Sequence, residues 1–201
     1  MPGDEKVSDR LERWLRGTEP KTLGSLIELF GERSFAIVFV LLMAIPALPL
    51  PTGGATHVLE VITMLLALEL IVGRRHVWLP ERWKGRQVAG ASRERFTGAL
   101  LRWIRRFERF SRPRGGWLLS HRLSGVLFGV AVFALALTAF VAPPFSGLDT
   151  LPSIGVVVLS LGFLLEDAVL AAIGLGIGAL GTVVVIGLGS LVVTWLRGLF
   201  S

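Results

Sequence analysis

LSGVLFGVAVFALALTAFVA, residues 123–142, runs for 20 positions without a charge. About 20 apolar residues are enough to span the hydrocarbon core of a bilayer. A second stretch, residues 168–196, adds 29 uncharged positions. From Asp149 to Leu196 the charged residues are Asp149, Glu166 and Asp167. Hydrophobic residues make up 52% of the 201-residue chain and charged residues 18%, against roughly 25% charged in a typical soluble domain. A chain this short cannot surround two or more such helices with polar structure. The expected fold is therefore an all-α, multi-pass integral membrane protein.

Working outward, residues 1–33 are polar and predict surface helices, lying on or near the membrane or forming a small cytoplasmic cap. Ser8 is placed to cap a short helix with Leu11, Trp14 and Leu15 on one face. Leu23, Leu26, Ile27 and Phe30 recur at helical spacing over Thr22 to Phe30, and Gly31 suits the stop. This segment mixes both signs of charge and the apolar run begins near Phe35, so no cleavable signal peptide is expected. The chain has no cysteine, which excludes disulfides and thiolate metal sites.

Residues 34–73 form a first membrane repeat. Its arms, Phe35 to Leu50 and Val58 to Val72, flank a turn of Pro46, Pro49, Pro51, Thr52, Gly53 and Gly54. Each arm is about 15 residues, or ~23 Å as a helix, against a ~30 Å core. Two readings fit: short crossing helices, or a re-entrant hairpin covered by protein or water. Residues 74–122 hold 14 Lys and Arg against Glu81, Glu94 and Glu108, a net of +11 in a chain of net +6. Trp78 and Trp83 suit an interface. Arg93 to Phe110 reads as an amphipathic helix with Phe96, Leu100, Trp103, Ile104 and Phe107 on one side. Arg102, Arg105, Arg106 and Arg109 point to water or lipid headgroups. Lysine and arginine excess marks the cytoplasmic side, so residues 74–122 are placed there.

Residues 123–167 form a second membrane repeat, interrupted at Pro152, and residues 168–201 a glycine-rich C-terminal helix or pair of helices breaking near Gly181. The two apolar halves match at an offset of 94. Pro49 falls on Pro143, Thr52 on Ser146, Gly53 on Gly147 and Thr56 on Thr150. Repeats with broken helices are typical of transporters, where the breaks meet near a binding site. Whether the repeats are inverted or parallel stays open.

The order and spacing of several motifs carry a resemblance. Gly31-Glu32-Arg33 precedes an apolar run, and Pro49-Leu50-Pro51-Thr52-Gly53-Gly54 makes the turn. Gly73-Arg74 leads to Trp78-Leu79-Pro80, Arg112-Pro113-Arg114 follows the amphipathic helix, and Pro143-Pro144 precedes Glu166-Asp167. Together, over residues 20–185, these resemble the exopolysaccharide synthesis protein family, ExoD. Glu69 stands where that family usually has glutamine, and Ala168 where it usually has glycine. The resemblance implies a bacterial inner-membrane protein associated with surface polysaccharide, working with the polysaccharide-synthesis machinery. It implies no known reaction.

No catalytic constellation is visible, which points away from an enzyme, and no cofactor is implied. His57, His76 and His121 lie in different segments, so no metal site is expected. The glycine-rich tail lacks a nucleotide fingerprint. Gly174 and Gly178 instead fit the spacing that lets helices approach closely, and a homodimer is a reasonable expectation. Intramembrane carboxylates are costly and therefore informative. Glu60, near the proline turn, is the candidate for a proton or cation beside Thr52 and Thr56. The pathway reading groups Pro49, Pro51, Thr52, Gly53, Thr56 and Glu60 with Pro143, Pro144, Ser146, Gly147 and Asp149. Glu69 is expected to pair with Arg74 or Arg75, and Glu166 or Asp167 with Arg74 across the repeats. The basic segment lacks a nucleic-acid motif; anionic phospholipid is its expected partner. Two functions follow: a transporter or channel for an ion, lipid or lipid-linked precursor, and a lipid-binding scaffold that transports nothing.

Overall fold

The computed structural model describes residues 7–18, 22–48, 55–74, 77–78, 101–102, 104–109, 122–143 and 146–199. Among these, all regular structure is helical. The longer elements are α1 (Val7–Arg16), α2 (Leu23–Phe30), α3 (Ser34–Met43), α4 (Ala55–Ile71), α5 (Arg122–Val141), α6 (Thr150–Leu164) and α7 (Ala168–Leu199). Leu123–Val141 and Ala168–Ser190 are long and apolar enough to cross a membrane, by length and composition.

Local chemistry sets most of the boundaries. Thr22 and Ser25 cap α2 reciprocally: the Ser25 N–H donates to Thr22 Oγ1 and the Thr22 N–H to Ser25 Oγ, each at 3.2 Å. Gly31, at φ 53°, stops α2 in the left-handed region that disfavours a β-carbon. The expected arm from Phe35 to Leu50 is shorter as a regular helix, because α3 ends at Met43 and turns continue to Leu48. Pro46 explains this, since it has no N–H for the next helical bond and its ring crowds the preceding turn. Pro152, expected to interrupt the second repeat, instead lies in the first turn of α6, where an N–H has no intrahelical partner. Ser8 is not a cap either. It lies inside α1, and its N–H donates to Glu108 Oε1 at 2.9 Å. The tail is one continuous helix of 32 residues, ~48 Å long.

Neighbouring helices run antiparallel. His57, early in α4, lies against Phe140 at the end of α5, with ring centroids 5.4 Å apart. Phe128 of α5 stacks on Phe163 of α6 at 4.0 Å and meets Phe39 of α3 edge-on at 5.7 Å. Arg33, just before α3, reaches the Leu164 carbonyl at the end of α6. The α3–α4 and α5–α6 junctions therefore lie at one end of the bundle. The ends leading to and from the basic segment lie at the other.

The α6–α7 interface is built from small residues in register. A β-carbon on Gly155 would lie 2.4 Å from Gly178 Cα. One on Gly162 would lie 2.3 Å from Ala171 N, one on Gly174 2.2 Å from Leu159 N, and one on Gly181 2.7 Å from Pro152 N. Going up one helix and down the other, Pro152–Gly181, Gly155–Gly178, Leu159–Gly174 and Gly162–Ala171 form a ladder with steps of three and four residues. That period keeps one seam in contact along two antiparallel helices. The spacing of Gly174 and Gly178 is thus used within the chain. Backbone contact at this distance gains dispersion energy.

Polarity is distributed inside out. On α4, Thr56, Glu60 and Thr63 are buried, while Val58, Val61, Leu65 and Leu68 are exposed. Leu127 and Val141 of α5 and Ile173, Leu180, Val183 and Ile186 of α7 are exposed too. By contrast α3 is buried on all sides, from Ser34 through Val40 and again at Met43.

The ladder makes a direct expectation. Gly155→Ala should destabilise the protein in detergent by about 1–3 kcal/mol, because both backbones must part. Gly176→Ala meets nothing within 4 Å and should be neutral or slightly stabilising. Helical circular dichroism followed through denaturant unfolding in micelles separates the two.

Candidate functional site

The inward stripe of α4 supplies the site. Thr56, Glu60 and Thr63 recur at four and three residues, so they share one helical face, and all are buried. Thr63 Oγ1 donates to the Leu59 carbonyl at 2.8 Å and is satisfied within its own helix. Glu60 has no such outlet. Its side chain is 0% exposed, Oε2 lies 2.7 Å from His57 Nδ1, and Oε1 has no hydrogen-bond partner among the described residues. The negative charge of Asp149, at the start of α6, acts on Glu60 from the second hairpin. The His57 ring is about a quarter exposed and packs edge-on against Phe140.

The structure thus gathers Thr56, Glu60 and Asp149 from the expected pathway set. Pro143, Ser146 and Gly147 form an exposed turn beside them. Ser146 Oγ donates to the Pro143 carbonyl at 2.6 Å and accepts the Leu148 N–H at 3.2 Å, while Gly147 takes φ 68°. Those bonds account for the hydroxyl and the glycine as turn chemistry. Pro49, Pro51, Thr52, Gly53 and Pro144 lie outside the described residues. His57 is the member that treating the three histidines as isolated passes over. Its spacing of three from Glu60 is visible in the sequence and puts both side chains on one turn of α4.

A second charged group closes the opposite end. Glu69 lies 3.8 Å from Arg74 and accepts the Trp78 N–H at 3.1 Å, and the Arg74 guanidinium lies 5.7 Å from the Trp78 ring centroid. The expected pair between Glu166 and Arg74 gives way to another: Glu166 pairs with Arg33, which also reaches the Leu164 carbonyl. Arg33 is the nearer partner because α3 and α6 pack antiparallel, bringing the start of one to the end of the other. Asp167 caps α7, with Oδ1 accepting the N–H groups of Val169 and Leu170 at 3.0 and 3.2 Å. Glu166 itself sits at φ 56°, in the left-handed region.

Of the basic segment, residues 101–102 and 104–109 are described, and they are helical. Arg102, Arg105, Arg106 and Arg109 are exposed, while Ile104 is fully buried. Arg105 pairs with Glu12 of α1, which also holds Arg16 at 2.5 Å. The polar N-terminal segment and the basic helix therefore dock on each other. Arg93 to Leu100, Trp103 and Phe110 of the expected amphipathic helix lie outside the described residues.

A family model described as exopolysaccharide synthesis, ExoD, matches residues 7–187. The chain belongs to the ExoD family. It is 29% identical over 161 residues to Protein ExoD of Rhizobium meliloti, covering 76% of this chain and 64% of that protein. It is 28% identical over 153 residues to an uncharacterized protein of Synechocystis, covering 76% of this chain and 71% of the other. The chain thus spans a little under two thirds of the Rhizobium relative's length. No solved structure matches the chain. The match from residue 7 to residue 187 takes in the N-terminal helices, both hairpins and most of α7. ExoD-family membership supports a role in exopolysaccharide synthesis.

Two opposing effects meet at Glu166, and a substitution separates them. Glu166→Gly loses the partly exposed ion pair with Arg33, worth about 0–1 kcal/mol, but relieves a left-handed residue costing about 1–2 kcal/mol. Glu166→Gly should therefore leave stability in detergent unchanged or raised, whereas Glu166→Ala, which keeps the β-carbon, should lower it.

Proposed function

We propose that this ExoD-family chain is an integral inner-membrane component of bacterial exopolysaccharide synthesis that moves a small ionic solute through its interior. The observation that carries the reading is α4. It turns threonines and a carboxylate inward and leucines and valines outward. In water this arrangement is doubly unfavourable, because it exposes apolar area and dehydrates a carboxylate. In lipid the outer face is solvated by acyl chains, and the inner face becomes a polar path.

Other features support the same reading. The first arm of each hairpin packs on the second arm of the other: α3 on α6, and α5 on α4. Such an exchange is what a pseudo-two-fold relation between duplicated hairpins generates. Both second arms end alike. The Arg74 N–H donates to the Glu69 carbonyl after a left-handed Gly73, and the Asp167 N–H to the Gly162 carbonyl after a left-handed Glu166. These ends align at an offset of 93, one residue less than the proline turns, so the second hairpin is one position shorter. The hairpins run the same way, which fits parallel repeats about an axis along the membrane normal. Buried α3, with only 10 residues, suits a re-entrant arm, because irregular backbone at membrane depth must be covered by protein.

Orientation follows from charge. The basic segment faces the cytoplasm, where its arginines meet anionic headgroups at ~1 kcal/mol each; a fully crossing first hairpin turns its prolines outward, and a re-entrant one leaves them at membrane depth. The exposed row of Arg102, Arg106 and Arg109 then anchors the cytoplasmic end to lipid.

In a bacterium lacking its own copy, the wild-type gene should restore exopolysaccharide output. Glu60→Gln should fail to restore it while accumulating in the membrane fraction at the wild-type level. Glu69→Gln, at the far end of the same helix, should restore it. Full restoration by Glu60→Gln contradicts a transport role for this site.

A further inference from the structure

Glu60 is a buried carboxylate with half of its bonding capacity unused. Oε2 is held by His57 Nδ1 and Oε1 by nothing among the described residues. The helices around it offer no fixed cation. From Ser34 to Met43, from Leu123 to Val141 and from Thr150 to Leu164 there is no ionisable side chain. Residues 49–54, which join α3 to α4, contain none either. Among the described residues, the titratable groups that act on Glu60 are His57 on its own helix and Asp149 at the start of α6. Neither is a permanent positive charge.

An ionised carboxylate without a paired cation is strongly disfavoured in an apolar interior, and in practice such a group takes up a proton. Among the described residues no group of three or more His, Asp or Glu is arranged to hold a metal ion. Histidine beside the carboxylate supplies what a proton requires, a group that accepts at one nitrogen while donating at the other. The ring is about a quarter exposed while Glu60 is sealed, so His57 stands between the carboxylate and the end of the bundle that holds the proline turns.

We propose that His57 and Glu60 form a proton-binding site that loads one proton from the proline-turn end of the bundle. This rests on the transport reading above and names its ion. In the empty state a neutral imidazole donates from Nδ1 to the Glu60 carboxylate, and the pair carries one negative charge. Loading adds a proton at Nε2 while the Nδ1 proton passes to Glu60 Oε2. The result is a neutral imidazole and a carboxylic acid; the acid proton then leaves toward the opposite end, and tautomer exchange on the ring restores the Nδ1–H donor. Asp149, at the start of α6, places a further acidic group on the Glu60 side of the second hairpin. Thr56, buried one turn before Glu60, keeps that face of α4 polar.

The full-length chain, purified in detergent and reconstituted into phosphatidylethanolamine–phosphatidylglycerol vesicles containing a pH-sensitive dye, tests this under a potassium diffusion potential. Wild type should acidify the interior roughly tenfold or more faster than Glu60→Gln and than protein-free vesicles, with Glu60→Asp retaining flux. His57→Gln, which leaves the carboxylate intact, should slow flux and change its pH profile. Wild-type flux equal to that of Glu60→Gln or of protein-free vesicles overturns the assignment. Should Glu60→Gln lose its helical signal, His57→Gln decides: slowed flux supports the site, and unchanged flux overturns it. A wild type that moves no protons yet restores exopolysaccharide in the cell-based assay refutes the proton and leaves the membrane role standing.

Discussion

The placement of one carboxylate constrains the rest of this molecule. Glu60 is sealed from solvent on a helix whose opposite face exposes valine and leucine. A soluble protein gains its stability by the reverse arrangement, removing apolar area from water and leaving charge outside. The inverted pattern is sustainable when the surroundings are apolar and the interior supplies polar company. Here that company is His57 from the same turn, while Asp149 from the second hairpin sets a like charge against the carboxylate.

On the membrane reading proposed above, helices have no hydrophobic drive toward one another, so close packing has to hold the bundle together. The ladder between α6 and α7 meets that need, since small residues let the two backbones touch along four successive levels. Gly129 does the same on a smaller scale, where a β-carbon would lie 3.2 Å from the Ala67 carbonyl of α4. Phenylalanines 39, 128 and 163 pack on one another where α3, α5 and α6 meet. Charges are confined to the ends. Arg33 with Glu166 and Arg74 with Glu69 lie at one end, and the His57–Glu60–Asp149 group lies near the other.

Much of this was legible in the sequence because the decisive signals are local. Uncharged runs marked α5 and α7, Thr22 and Gly31 marked the ends of α2, and Pro46 marked the end of α3, whereas Pro152 marked no break. Family membership was legible from motif order alone. Tertiary partnership was not. Arg33 and Glu166 are 133 residues apart, and nothing local tells Glu166 to prefer Arg33 over Arg74. The glycines of α7 announced a close approach but not that α6 receives it. A left-handed glutamate is invisible to residue-type reasoning, which reserves that conformation for glycine and asparagine. The candidate site was half legible: Glu60 stood out as a carboxylate in an apolar run, whereas Asp149 became its neighbour only through packing of the two hairpins.

The account's central claim is that lipid, not water, solvates the outer faces while α4 keeps its polar stripe inside. The absence of native cysteine allows single cysteines to be introduced and spin-labelled without background. Labels at Leu65, Leu127 and Val183 in reconstituted bilayers should be relaxed strongly by oxygen, which partitions into lipid, and weakly by a water-soluble nickel chelate. A label at Thr63 should respond little to either. Strong relaxation of the labels at positions 65, 127 and 183 by the nickel chelate contradicts the account.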